Sequence, residues 1–372
     1  MSSLDAVGAM LVARLLDHLS VISVTGDEAL LCSQIATEQA ANGAQVIRHG
    51  NSLVLSRFDA ADTRPLVLLV GHLDVVPPTE ADRVPAVRHD VVIGRGSSDM
   101  KAGNVVALSL LDDVALMAAC PYRVAVVLYA GEEGPADGNE LAEVLMHEPW
   151  LATAELAVVL EPTDSLIQLG CLGGLHAELV FSGVAAHSAR PWDGENAIFK
   201  AHELLSEFAR DHTRQVMVDG ISFTDVWSVT HAYSTGFGPG MSASPPVRNV
   251  IPDRFTLNVN FRFAPNRSLA EAETELRQRV AGRADVTIVD RAEPAPPKRD
   301  TPLVAKLIAV ANTDVTGKQA WTDIARFAAV GVPGINFGPG LTTQAHQAGE
   351  YVPIAALVSA YQTLRQFLSD ET

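Results

Sequence analysis

His72 and Asp74 stand just beyond the apolar run Leu66-Val67-Leu68-Leu69-Val70, with Gly71 between run and histidine. Residues two apart on a strand project to the same side, so Asp74 can reach past His72 or hold one of its ring nitrogens. A carboxylate that accepts one imidazole N–H fixes the tautomer and leaves the other nitrogen free for a metal. Alone, the pair would be a satisfied histidine at a strand end; the rest of the chain reverses that reading. Asp99 follows Val91-Val92-Ile93, Glu132 and Glu133 follow Tyr122–Tyr129, Glu161 follows Leu156–Leu160, and His346 lies in a loop behind Ile335-Asn336-Phe337. Residues far apart in sequence would therefore meet at the edge where open parallel sheets gather ligands.

Two imidazoles and several carboxylates with no thiolate suit zinc, or cobalt or manganese in its place. Four carboxylates packed together repel strongly unless a cation lies among them. So many donors exceed what one zinc requires, which points to two metals bridged by one carboxylate. Such a pair, ~3.5–4 Å apart, generates hydroxide at neutral pH and polarises a carbonyl. Of the adjacent Glu132 and Glu133, one can face the metal while the other takes a proton from bound water. A lone Glu-Glu is usually a solvated loop, but Gly131 and Gly134 flank this pair directly behind a buried strand. Gly94-Arg95-Gly96 lacks the third glycine and the helix start of a phosphate loop.

The elements that must position these groups alternate in type. Apolar residues recur at helical spacing over Val7–Leu19 and Ala29–Ala41. Strands are expected at Ala44–Arg48, Ser52–Arg57 and Leu66–Val70, and a long helix from Asn104 to about Ala119. This alternation predicts an α/β fold, a mostly parallel sheet sandwiched by helices. After Gly174 the pattern changes. Strand His176–Ser182, helix Ala197–Arg210, extended segments near Ile221–Val229 and Arg254–Phe263, helix Leu269–Val280 and strand Asp285–Val289 describe a ferredoxin-like α+β insertion. Its free sheet edge would serve for dimerisation. The expected boundaries are 1–174 and 291–372 for the first domain and 175–290 for the insertion.

With 372 residues, 48% hydrophobic and 19% charged, the chain has room for two domains with substantial cores. A formal charge of −17 argues against nucleic acid and anionic membranes as partners, while a few local arginines could still hold a small anionic substrate. Cys32, Cys120 and Cys171 are scattered and without CxxC spacing, as in a reducing compartment. No signal-peptide pattern opens the chain and no uncharged apolar stretch reaches ~18 residues, so a cytoplasmic protein is expected.

Motifs in a specific order carry a resemblance. Gly71-His72-Leu73-Asp74-Val75-Val76-Pro77, the stretch Gly94–Gly103, Gly131-Glu132-Glu133-Gly134, Glu161-Pro162-Thr163 and the late His346 resemble the two-zinc amidohydrolases. That family includes succinyl-diaminopimelate desuccinylases, acetylornithine deacetylases, carboxypeptidases and aminoacylases. The resemblance implies that His72 and Glu161 bind one zinc and Glu133 and His346 the other. It further implies that Asp99 bridges them ahead of a cis peptide to Met100, that Asp74 orients His72, and that Glu132 is the general base.

Ala186–Trp192, Arg248–Pro252, Asn260–Pro265, Trp321–Phe327 and Asn336–Gly340 resemble the desuccinylases, most closely the actinobacterial type. The likeness implies a homodimer formed through the inserted lid, with His187 reaching the partner's site to steady the scissile carbonyl oxygen. Asn249, Arg262 and Arg326 would hold the carboxylates of a small anionic N-acyl amino acid. Cys171-Leu172-Gly173-Gly174 departs from the pattern, having no polar side chain where desuccinylases usually place an Arg or Gln. The expected reaction is hydrolysis of N-succinyl-L,L-diaminopimelate. Another acyl amino acid or a dipeptide is the alternative, and a non-catalytic paralogue the more distant one.

Overall fold

Every position of the strand Leu66–His72 is buried, as its unbroken apolar sequence requires of a strand covered on both faces. The computed structural model describes residues 3–234 and 248–369. Cα proximity divides the chain into two units. One comprises Met1–Leu169, Lys298–Thr316 and Arg326–Thr372, the other Gly170–Pro297 and Gly317–Ala325.

The first unit opens with helices α1 (Ser3–Ser20) and α2 (Ala29–Ala41) and strands β1 (Gln45–His49), β2 (Ser52–Ser56) and β3 (Leu66–His72). Short strands β4 (Ala86–Arg88) and β5 (Val91–Ile93) follow, then α3 (Lys101–Asp112), α4 (Val114–Ala119), β6 (Arg123–Tyr129), α5 (Leu141–His147), β7 (Leu156–Val159) and β8 (Ile167–Cys171). The single helix expected from Asn104 to Ala119 is two. Asp113 leaves helical geometry, and its carboxylate accepts the Leu116 N–H at 3.0 Å as the cap of α4.

In the second unit, β9 (Gly173–Ser182), β10 (Ala186–His187), α6 (Ala197–Lys200), α7 (His202–Arg210), β11 (Thr213–Val218), β12 (Ile221–Ser234), β13 (Val250–Ile251), β14 (Arg254–Phe263), α8 (Leu269–Val280) and β15 (Asp285–Ala292) follow in order. Five of these strands form an antiparallel sheet in the order β11-β12-β14-β9-β15. Alternate residues of β9 and β14 (Leu175, Ala177, Leu179, Phe181; Phe255, Leu257, Val259, Phe261, Phe263) pack with Leu204 and Phe208 of α7 and Leu276 of α8 in one core. The intervening His176, Glu178, Asn258, Asn260 and Arg262 are only half-buried. The sequence reading missed β11, whose Thr-Arg-Gln start shows no apolar alternation because it is a largely exposed edge strand.

The chain returns through α9 (Pro302–Ala311), β16 (Val315–Lys318), α10 (Ile324–Ala329), β17 (Gly334–Asn336), β18 (Tyr351–Pro353) and α11 (Ile354–Leu368). The main sheet runs β1-β2-β6-β3-β7-β17-β8-β16. Its centre, β6-β3-β7-β17, is parallel, while β1, β2 and β8 pair antiparallel. The mainly parallel sheet expected from the alternation is thus present, with antiparallel strands outside it. Helix α3 packs on β3 and β6, and α1 and α11 pack on α3. No helix among the described residues is long and apolar enough to cross a membrane.

One joint of this helical layer is polar. The buried Lys101 ammonium donates to the carbonyls of His18 (3.2 Å) and Val21 (2.8 Å) at the end of α1. Burial, with the nearby Arg14 and Lys101 charges, pushes the His18 imidazole down to about 3. Below pH 6.5 the unfolded chain takes up a proton that folded His18 refuses, so stability falls as pH drops from 6.5 towards 3. Between pH 7 and pH 5 this histidine should remove about 2 kcal/mol of unfolding free energy. His18→Leu should flatten that part of the profile. Urea midpoints of both proteins at the two pH values test this; parallel changes would show that His18 takes no part.

Candidate metal centre

His72 closes β3 with its ring fully buried. Nδ1 lies 3.0 Å from the backbone carbonyl oxygen of Asp74 and 3.5 Å from Asp74 Oδ1. Nε2 lies 3.3 Å from Asp99 Oδ1 and 3.8 Å from Glu161 Oε1. A proton on Nδ1, donated to the Asp74 carbonyl, leaves the Nε2 lone pair facing the two carboxylates. The Asp74 carboxylate is mainly occupied elsewhere: it accepts from the Thr25 hydroxyl (2.9 Å) and the N–H groups of Glu132 (3.0 Å) and Glu133 (2.9 Å). One residue therefore faces the imidazole with its backbone carbonyl and its carboxylate, and fixes the Glu132-Glu133 turn through the same side chain. Burial opposes ionisation of Asp74, but hydrogen bonds from His72, Glu133 and Thr25 hold its carboxyl down at about 2.

Gly71 is glycine for a steric reason. The Asn104 amide, one turn into α3, donates to the His72 carbonyl at 2.6 Å, and a Cβ on Gly71 would sit 2.0 Å from Asn104 Oδ1. Asp99 lies in the loop between β5 and α3, followed by a cis peptide to Met100 as the resemblance implied. The loop's N–H groups converge on the buried Glu350 carboxylate, which accepts from Gly96 (2.9 Å), Ser98 (2.7 Å) and Asp99 (2.9 Å). Burial pushes the Glu350 carboxyl up to about 7 against these bonds.

His346 is exposed, in the left-handed region at φ 62°, and its Nε2 lies 2.8 Å from Glu133 Oε2 and 3.7 Å from Asp99 Oδ2. Two trios of donors result: His72, Asp99 and Glu161, and Asp99, Glu133 and His346, each with its donor atoms within 4.8 Å of one another. Asp99 belongs to both. A third overlapping trio of His72, Glu132 and Glu133 brings Glu132 to the same place.

The electrostatics fit a cationic occupant. Burial alone would lower the His72 pKa, yet Asp74, Asp99 and Glu132 outweigh it and hold the imidazole well above its usual 6.5. Burial and the neighbouring Asp99 raise Glu133 against the pull of His72 and His346. Carboxylates crowded enough to force protons onto their neighbours are a donor set for metal ions. Nitrogen and oxygen donors without sulfur suit zinc, cobalt or manganese.

The other predicted residues divide between the units. Arg326, half-buried in α10, belongs to the first; His187, Asn249 and Arg262 belong to the second. Within that unit β10 pairs with β13, setting His187 opposite Val250, and the Asn249 carbonyl accepts the Ser188 N–H at 2.9 Å. The exposed His187 accepts the Ala189 N–H on Nδ1 at 3.1 Å, so the neutral ring carries its proton on Nε2. Arg262 pairs with Gly174, where a Cβ would lie 2.9 Å from the guanidinium; a side chain there would crowd it. Burial lowers the Arg262 pKa.

Sequence reasoning did not single out Thr25, Asn104 or Glu350. Asn104 left a usable signal, a polar residue opening an otherwise apolar helix. Thr25 and Glu350 sit in short polar stretches whose partners are 49 and about 250 residues away.

The chain is similar to known proteins along most of its length. The family described as peptidase family M20/M25/M40 matches residues 68–370. A Mycobacterium tuberculosis protein named as a succinyl-diaminopimelate desuccinylase is 36% identical over 363 residues, covering 96% of this chain and 97% of its own. The succinyl-diaminopimelate desuccinylase of Corynebacterium glutamicum is 33% identical over 381 residues, covering 99% and 98%. Among solved structures, a tripeptidase from Staphylococcus aureus shares the fold at a TM-score of 0.77 with 17% identity, covering 97% of each chain. By family match and by near full-length relatives, this chain is a member of the peptidase family M20/M25/M40.

Proposed function

We propose that this chain is a two-zinc amide hydrolase that cleaves N-succinyl-L,L-diaminopimelate to succinate and L,L-diaminopimelate. The observation that carries the chemistry is the sharing of Asp99 between two His-carboxylate trios, with Glu132 beside them. The substrate comes from the two desuccinylases to which the chain is similar over almost its whole length. A small acyl amino acid also suits a protein whose −17 charge leaves anion binding to a few placed arginines.

In this reading His72 and Glu161 hold one metal, Glu133 and His346 the other, and Asp99 both. The pair supplies Lewis acidity toward water and the scissile carbonyl. Glu132, its backbone fixed by Asp74, takes the proton of the attacking water and delivers it to the leaving amine. His187 donates from Nε2 to the carbonyl oxygen as negative charge develops there, a role supported by the Ala189 bond that keeps the proton on that nitrogen. Arg262, Arg326 and Asn249 bind the substrate carboxylates. The second unit acts as lid and dimerisation domain in a cytoplasmic homodimer. Its exposed Trp192, Phe199 and Met217 support a second copy as the cover. Sedimentation should then give twice the 39.5 kDa of one chain, and a monomer at micromolar concentration would remove the partner's His187 from the mechanism.

One observation favours a second substrate. Leu172 is buried and apolar where desuccinylases usually place a polar side chain, so another acyl amino acid or a peptide is the alternative. Zinc-dependent amine release from N-succinyl-L,L-diaminopimelate, run beside N-acetylornithine and a dipeptide set, separates the readings. Strong preference for the succinyl substrate is expected; activity on another amide alone would keep the chemistry and reject the substrate. Glu132→Gln should retain both metals by elemental analysis and lose turnover by about 10²–10⁴-fold, the usual worth of a positioned acid–base group. Near-normal turnover would give the proton to another residue.

A further inference from the structure

Resting on the reading that Asp99 and His346 are metal ligands, we propose that Glu350 is a positioning residue for the metal pair. Its carboxylate clasps the loop bearing Asp99 to the loop bearing His346 and so sets the donor spacing across Asp99.

The two loops grow from one pair of strands. Strand β5 pairs antiparallel with β18, Ile93 opposite Tyr351, so the segment leaving β5 and the segment entering β18 begin side by side. Asp99 lies on the first and His346 on the second. Glu350 stands at the root of the second, fully buried. Its Oε1 accepts from the Ser98 (2.7 Å) and Asp99 (2.9 Å) N–H groups, and its Oε2 from the Gly96 N–H (2.9 Å) and Arg95 Nη1 (3.0 Å). Its carbonyl accepts the Gly94 N–H at 3.0 Å.

Further bonds tie the same loops. Arg95 also reaches Asp82 Oδ2 at 3.1 Å, and that oxygen accepts the Gly349 N–H at 2.9 Å. Ser98 Oγ donates to the Tyr351 carbonyl (2.7 Å) and accepts the Leu341 N–H (3.0 Å). A Cβ on Gly340 would lie 2.1 Å from the Ser98 carbonyl oxygen, so the backbones approach as closely as glycine permits.

The clasp uses both oxygens of Glu350 as acceptors. Each Glu350 oxygen takes two donors, so a glutamine must turn its NH2 toward one pair of them whichever way the amide is set. Either orientation breaks two bonds and sets like dipoles face to face. Asp99 is fastened by its own N–H, so its carboxylate moves with the loop. Groups that orient metal ligands from behind commonly contribute 10–100-fold to metal affinity.

The test compares the full-length wild-type chain with Glu350→Gln, each loaded with Co²⁺ and challenged with graded chelator while retained metal and visible absorption are followed. Wild type should hold two Co²⁺. Glu350→Gln should release one of them at about 10–100-fold lower chelator and show altered absorption before release. Asp225→Asn controls for lost stability: it removes an equally buried carboxylate, bonded by Arg214, Arg267 and the Ala264 N–H in the second unit, and should leave Co²⁺ retention unchanged. If Glu350→Gln fails to fold, Ser98→Ala, which removes only the hydroxyl tie, should still weaken retention several-fold. Two Co²⁺ in wild type with unchanged retention in the folded variant overturns the clasp, as does equal loss in Asp225→Asn. Fewer than two Co²⁺ in wild type overturns the two-metal reading beneath it.

Discussion

Mutual repulsion among carboxylates is the constraint around which the first unit is arranged. Asp99, the adjacent Glu132 and Glu133, and Glu161 converge on His72 from three segments, and each would be more comfortable in water. They are held there by a parallel strand buried along its whole length, by helix α3 laid on it, and by loops whose Gly96, Ser98, Asp99, Glu132 and Glu133 N–H groups are bound to the Glu350 and Asp74 carboxylates. Asp74 shows the economy of this scaffold. One residue presents a carbonyl to the imidazole and a carboxylate to the neighbouring turn, so the ligand and the proposed base are registered to the same point.

The second unit solves a different problem. Its sheet buries one face under helices and leaves the other lined with half-exposed polar groups, Arg262 among them. Arg262 lies over Gly174, where any side chain would crowd its guanidinium, and this close seat is what the proposed carboxylate-binding role draws on. Gly174 and Arg262 belong to the second unit, and the candidate ligands His72, Asp99, Glu133, Glu161 and His346 to the first, so the proposed substrate contact and the proposed metal donors can vary independently. Such a division lets one chemistry serve different acyl groups across a family.

Much of this was legible in the sequence because the informative residues follow unbroken apolar runs. His72, Asp99, Glu132, Glu133 and Glu161 could be placed at one edge from the strands that precede them, and the ferredoxin-like insertion from its change of period. What escaped depended on contacts across long separations. Glu350 reads as an ordinary loop residue until β18 pairs with β5 and brings it under Gly96–Asp99. Spacing put Asp74 on the same side as His72 but could not say which of its oxygens lies nearer the ring; the backbone carbonyl does, at 3.0 Å against 3.5 Å for Oδ1. Thr213–Val218 escaped because an edge strand has no need of an apolar face. The break at Asp113 was invisible to periodicity, since both helices continue the same apolar character.

The order in which the chain leaves the ribosome gives the shared aspartate another meaning. Asp99, Glu133 and Glu161 are made well before His346, and the Glu350 carboxylate that gathers the Asp99 loop comes later still. In the proposed two-metal reading, the second ion would be retained only once β18 has paired with β5. A hydrolase assembled this way would be silent until those two strands meet.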